Sequence, residues 1–448
     1  MSAPIEGRID EWRSYLAHSP ALRPDDIAEL EGHLRDQIDG LTGSGLSPDE
    51  AFLIAVSRIG RIDELSREYG REHADRLWKQ LIAVGPDEPA PRRGFALALG
   101  LACGAAVAVK VPALFGLTLT GSSADFFLRN ALLLVLPFLA AFFLVRRRAA
   151  SPVILTVAAA FVAAAAVMNA FPFVAGGATQ LLAAIHVGVV LWLVIGVAYT
   201  GGRWRSTTAR MDFIRFTGEW FVYVVLLGLG GGVLAGLTIG VFSAIGMDPS
   251  MFVVEWLLPC GAAGAVVIAA WLVEAKQSVI ENIAPVLTRV FTPLFTALLV
   301  ALIVAAAIHG SFVDSGRDLL IVFDLVLLVV VALLLYSLSA REPLAPAGWF
   351  DRLQLLMIVA ALVVDILVLI AMIGRVGEYG ASANKLASLG LNLILFANLA
   401  GAGWHHLRFV GHRGSFARVE SWQTAYVPVY LGWAALVVVV FPPVFGFV

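Results

Sequence analysis

Apolar residues follow two different rhythms along this chain. Between Ile5 and Leu81 they recur every three or four positions: Ile5, Ile9, Trp12 and Leu16, then Ile27, Leu30, Leu34, Ile38 and Leu41, then Phe52, Val56 and Ile59. Each run predicts an amphipathic helix with one apolar stripe. The third opens on Ser47-Pro48-Asp49-Glu50, where Ser47 caps the helix, Pro48 takes the first helical position and Glu50 reaches back to the cap. A fourth helix over 62–81 completes a small bundle that leans on the rest of the protein through Trp78 and Leu81. From Phe95 to Val448 the apolar residues form near-continuous blocks, each long enough to cross the roughly 30 Å of bilayer hydrocarbon. Hydrocarbon offers no partner to backbone N–H and C=O groups, so each block predicts a transmembrane helix.

The blocks fall at 95–119, 126–145, 152–174, 180–200, 216–245, 252–273, 291–309, 318–339, 353–373, 386–407 and 426–447. The expected fold class is all-α: a polytopic bundle of about eleven transmembrane helices behind a soluble helical domain at 1–85 and a linker at 86–94. Orientation follows from the basic residues. One set of connections holds Arg92 and Arg93, Arg146 to Arg148, Arg203, Arg205, Arg210 and Arg215, Lys276 and Arg289, Arg341 and Arg352, and Arg408, Arg413 and Arg418. That is sixteen basic residues, against four (Arg129, Arg317, Arg375 and Lys385) in the other set. The positive-inside rule then puts the N-terminal domain in the cytoplasm and Val448 outside, in a cell (inner) membrane.

Composition agrees: 59% of residues are hydrophobic, 14% are charged and the mean hydropathy is +0.86. The net charge of −2 hides an asymmetry. Residues 1–91 carry 18 acidic and 10 basic side chains, whereas the remainder carries 15 and 21. The N-terminus lacks the basic stub and short apolar core of a cleavable signal peptide. Cys103 and Cys260 both fall within spans, which argues against a disulfide framework. The lipid bilayer is the expected surrounding, nucleic acid is not an expected partner, and residues 1–85 offer an acidic surface to a cytoplasmic protein.

Ionisable residues inside spans are the candidates for chemistry, because a charge near mid-bilayer costs about 2.5 to 3.5 kcal/mol on insertion scales. Asp365 lies nearest a midplane, Lys110 and Asp324 lie in outer halves, Glu255 lies near an outer end and Glu219 near an inner one. Asp365, Lys110, Asp324, Glu255 and His186 make a candidate intramembrane network. It serves either as a proton or cation site on Asp365, with Lys110 as counter-charge, or as a salt-bridged staple fixing helix register. Gly228, Gly232, Gly236 and Gly240 share one helix face and predict a seam where another helix approaches closely. Pro112, Pro137, Pro285 and Pro293 lie in or beside spans, where proline either breaks a helix and frees carbonyls for a site or merely kinks it. His405, His406 and His412 lack a completing carboxylate or cysteine set, so no metal is expected. No nucleotide motif or nucleophile–base spacing is present; no cofactor and no catalytic residue are expected.

Gly45-Leu-Ser-Pro-Asp-Glu-Ala51, followed by Val56-Ser-Arg-Ile-Gly60, resembles the permease prefix domain found ahead of bacterial transport permeases. The likeness covers residues 5–80. The run Glu281-Asn-Ile-Ala-Pro-Val-Leu-Thr-Arg-Val-Phe-Thr-Pro-Leu-Phe295 and the stretch Tyr379 to Asn398 resemble the DUF4153-type multi-pass membrane proteins. The first resemblance implies regulation of a membrane process, and the second carries no activity with it. Three functions fit these features: a transporter-type protein for an ion or small solute tuned by its N-terminal helices; a membrane sensor or scaffold signalling through them; and an intramembrane enzyme on a lipid-linked substrate, which lacks a large catalytic loop.

Overall fold

The computed structural model describes residues 94–119, 123–275, 283–309, 317–342 and 345–448, and, before them, 24–43 with 6–7, 9–10, 12, 47, 51–52 and 55. The chain forms two compact units, Met1–Arg93 and Gly94–Val448.

In the first unit Pro24–Gly43 is a helix, and Pro24 at its start has no N–H to leave unsatisfied. Ile9, Trp12, Leu34 and Ile38 from the first two apolar stripes are buried, with Ala51 and Ala55. Arg35 grips Glu6 through two bonds of 2.8 Å and Glu31 through bonds of 3.1 and 2.8 Å. That guanidinium holds the Glu6 carboxyl below the usual carboxylate range. The Ala51 N–H donates to the Ser47 carbonyl at 2.9 Å, the bond expected where the third helix begins. The capping contacts of Pro48 and Glu50 and the fourth helix, with Trp78 and Leu81, lie outside the described residues.

The second unit is an all-α polytopic bundle, with no strand among the described residues. Eleven described helices are long and apolar enough to cross a membrane: Phe95–Phe115, Ala124–Arg146, Ser151–Ala170, Ala178–Tyr199, Thr207–Ala244, Ser250–Ala275, Leu287–Ala305, Leu320–Ser339, Trp349–Tyr379, Ala383–Val410 and Phe416–Val439. We number these spans one to eleven. Three boundaries differ most from expectation. The fifth span starts nine residues early, because Ser206 caps it by accepting from the Ala209 N–H at 3.3 Å. At 38 residues it measures about 57 Å, so its polar first turns continue the helix beyond the hydrocarbon. The eleventh span starts ten residues early at Phe416 and stops at Val439, and Pro442 and Pro443 fall in the separate short helix Phe441–Val444. Pro137 and Pro293 sit inside unbroken helices, whereas Pro112 lies in the 3-10 turn Val111–Phe115 that ends the first α-helix.

The spans gather into two apolar cores. One joins spans one to four with the start of the fifth, the sixth and Val438 near the end of the eleventh; Phe142, Phe143, Leu191, Ile195 and Phe216 are buried in it. The other joins spans seven to ten with the start of the eleventh. Span nine is its centre, packed against spans seven, eight and ten, and 56% of its apolar window is buried. Span eleven contacts spans four, five and ten, and span five also contacts span eight, so these two helices tie the halves together. Arg215 supports that tie by donating from Nε to the Ser339 carbonyl at 2.9 Å, at the end of span eight.

Glycines set the closest approach between spans ten and eleven. A methyl group added at Gly401 would lie 2.1 Å from the Trp422 ring, and one at Gly390 would lie 2.0 Å from Trp433. Gly401→Ala is therefore expected to destabilise the bundle by about 1 to 3 kcal/mol through overpacking. Gly374→Ala, whose site is open, should not. A thermal unfolding comparison of the two variants in detergent checks this; equal midpoints would remove the case for a notch at Gly401.

Candidate functional site

The second core contains a polar cluster built by spans eight, nine and ten. Asp324 is 8% exposed, and Asn392 and Asp365 are 0% exposed. Asn392 Nδ2 donates to Asp324 Oδ1 at 2.7 Å and to the Ser388 carbonyl at 2.8 Å, with Met372 Sδ at 3.6 Å. The Asn392 side-chain oxygen has no hydrogen-bond partner among the described residues. Asp365 differs from Asp324 in a decisive way: neither of its carboxylate oxygens accepts a hydrogen bond from any described residue. Asp324 is the charged group that acts on it electrostatically. Spans seven, eight and ten pack around this helix, yet they bring no described cation against the carboxyl group. A side chain of this kind, wholly out of water and without a donor, requires neutralisation by a proton or a bound cation.

The structure separates Lys110 from this cluster. Lys110 ends the first α-helix, which packs on spans two and six. Its Nζ lies 3.7 Å from Glu255 Oε2 and 4.5 Å from the centre of the Trp256 ring, and it donates to the Glu255 carbonyl. Glu255 stands in a π-helical turn, Val253–Leu257. Pro259 lacks an N–H, so the carbonyl four residues earlier loses its α-helical donor, and the lysine takes that donor's place. The expected counter-charge for Asp365 is thus committed elsewhere, and the five-residue network resolves into separate parts. His186 forms a third part: its Nδ1 pairs at 2.8 Å with the Leu182 carbonyl of its own helix.

The glycine seam also needs correction. Methyl groups added at Gly228, Gly232, Gly236 or Gly240 would meet nothing within 4 Å, and all four positions are exposed. Shared spacing put them on one face, but no described helix of this chain occupies it.

Several polar groups that packing depends on were not singled out by the sequence. Asn130 and Asn169 exchange amide bonds of 3.0 and 2.8 Å between spans two and three. Asn398 Nδ2 donates to Gln423 at 3.1 Å and to the Tyr430 hydroxyl at 2.6 Å. Polar residues within apolar spans were the available signal. Histidines 405 and 406 diverge: His406 is buried with Nε2 2.9 Å from the Asp351 carbonyl, while the His405 ring lies against Trp422. Among the described residues no group of three metal-binding side chains converges. Comparison with protein families, curated proteins and solved structures gives no significant match to this chain.

Proposed function

We propose that the protein is a transporter-type membrane protein in which Asp365 takes up and releases a proton as an ion or small solute crosses. The observation that carries this reading is the complete burial of Asp365 with both carboxylate oxygens unpartnered, beside the second acid Asp324. A purely structural carboxylate would have a salt bridge or donors, as Asp351 has from Arg341 at 2.9 Å. Asp324 and Asn392 continue the polar groups from span nine to spans eight and ten. The prefix-like resemblance of residues 5–80 supports regulation by the N-terminal helices.

Infrared pH-difference spectroscopy on the full-length protein in liposomes tests the proton site. A carboxyl band that titrates in the wild type should vanish in Asp365→Asn, while Asp324→Asn shifts it. Proton-coupled solute uptake in the same liposomes should fall by about 100-fold or more in Asp365→Asn, the scale of a lost proton-transfer group. An unchanged titrating band in Asp365→Asn would remove the proton site. If uptake and growth phenotypes survived Asp365→Asn but were lost on deleting residues 1–91, the protein would be a sensor or scaffold acting through its N-terminal helices.

The positive-inside bias supports a cytoplasmic N-terminal unit. Gly202 is unsuited to a reporter cysteine, since its φ is +87° and a Cβ would meet Val153 at 2.5 Å. Thr208 and Ala381 are exposed and belong to opposite sets of connections. In a background lacking Cys103 and Cys260, an impermeant thiol reagent on intact cells should label Ala381→Cys and spare Thr208→Cys. The reverse labelling would invert the topology.

A further inference from the structure

The ends of spans two, four, five and six that carry the arginine-rich connections line a half-open cavity of about 400 Å³, a volume in the range of small-molecule sites. Arg147, Arg203 and Arg215 line it together with Asp212, Glu219 and Glu274. Some of these charges hold one another in place. Arg147 Nη2 lies 2.7 Å from Glu274 Oε1, its Nε donates to the Tyr199 carbonyl at 2.9 Å, and its guanidinium lies 4.8 Å from the Tyr199 ring centre. Arg215 is tied to the Ser339 carbonyl.

Arg203 and Asp212 behave differently. Arg203 makes one long bond, 3.4 Å from Nε to the Thr200 carbonyl, and the outer nitrogens of its fork donate to no described residue. Asp212 forms no ion pair with any described residue, Arg203 included. Two opposite charges therefore line one cavity without meeting. Because the wall carries three guanidinium groups and three carboxylates, a simple anion would be opposed by as many negative groups as attract it.

We propose that this cavity binds a zwitterion carrying a phosphate and an ammonium a few bonds apart, with the phosphate on the Arg203 fork and the ammonium on Asp212. A guanidinium fork matches phosphate oxygens through paired, charge-assisted bonds. A carboxylate accepts from all sides of an ammonium. Both the headgroup of phosphatidylethanolamine and a free aminoalkyl phosphate have this chemistry, and a location at the ends of membrane spans gives access to both.

The test uses the full-length protein in detergent, with thermal unfolding and native mass spectrometry as readouts. Phosphatidylethanolamine, phosphatidylglycerol and O-phosphoethanolamine are added separately to the wild type, Arg203→Gln and Asp212→Asn. Both substitutions fall at exposed positions, so the ligand-free midpoints should match the wild type. In the wild type, phosphatidylethanolamine should be retained and should raise the midpoint, and phosphatidylglycerol should do so less. Each substitution should weaken phosphatidylethanolamine binding by about tenfold or more. Asp212→Asn should leave phosphatidylglycerol binding unreduced. An equal response to O-phosphoethanolamine assigns the site to a soluble ligand, and a response to the lipid alone assigns it to the membrane. Equal binding of both lipids by the wild type, or unaltered binding in either variant, would overturn the proposal.

Discussion

Arg341→Ala should lower the stability of the membrane unit by about 3 to 5 kcal/mol, the range seen when one partner of a buried ion pair is removed. The side chain is 12% exposed and its Asp351 partner 7%. Its Nε and Nη2 reach the two Asp351 oxygens at 2.9 and 3.3 Å, Nη1 donates to the Glu342 carbonyl at 2.9 Å, and Nη2 is shared with the Ala345 and Pro346 carbonyls at 2.9 and 3.0 Å. The planar face lies 4.7 Å from the centre of Phe409 and 4.6 Å from that of Phe416. One guanidinium thus joins the turn after span eight, the start of span nine, the end of span ten and the start of span eleven. Asp351 also accepts from the Gly348 N–H at 2.7 Å, so losing the arginine leaves a buried carboxylate that still holds the start of span nine. Arg341→Lys should recover little, because an ammonium neither spans this set of acceptors nor stacks between two rings. Resistance to thermal unfolding, measured beside the exposed control Arg352→Ala, reads the effect directly. A midpoint equal to the control would show that the cluster does not hold these turns together.

The spans were legible because hydrocarbon thickness and the absence of backbone partners in lipid leave one local solution, and that solution is written in consecutive residues. The Ile9, Trp12, Leu34 and Ile38 stripes were legible for a similar reason, since a periodic face needs only a core to meet. Partnerships between helices are not local, and consecutive residues do not encode them. Asp365 is buried in one core, whereas the lysine expected to face it belongs to a helix packed on the other. A better signal for Lys110 was present: Pro259 lies four residues after Glu255 and leaves a carbonyl for an outside donor. The glycine stripe of span five shows the opposite limit. Its period identifies a face, whereas the glycines that do admit a neighbour, Gly390 and Gly401, carry no such period and depend on tryptophans on the next span. The charges around Arg203 and Asp212 lie in polar turns where sequence alone sees only solvated residues.

Lys110 gives the second large effect, and the form of that effect discriminates between its partners. Lys110→Met leaves the Glu255 carboxylate buried at 9% residue exposure and its carbonyl without the lysine, a loss of about 3 to 5 kcal/mol. Glu255→Gln removes one charge but keeps the backbone acceptor, so it should be milder. Combined, Lys110→Met and Glu255→Gln should cost about 2 kcal/mol less than the sum of the single losses, a coupling expected of groups in contact. Asp365→Asn serves as the distant comparison: with Lys110→Met its effect should be additive to within about 0.5 kcal/mol. Even the double variant should stay below the wild type, because Pro259 still withholds the N–H that an α-helix would offer the Glu255 carbonyl. Pro259→Ala in that background supplies an N–H and should restore part of the loss as the turn relaxes toward regular helix. Unfolding midpoints of this set in one detergent decide the matter. Coupling between Lys110 and Asp365 would reinstate a single network across both cores, and coupling to Glu255 alone would leave Asp365 without a fixed counter-charge, as proton uptake at that carboxyl requires.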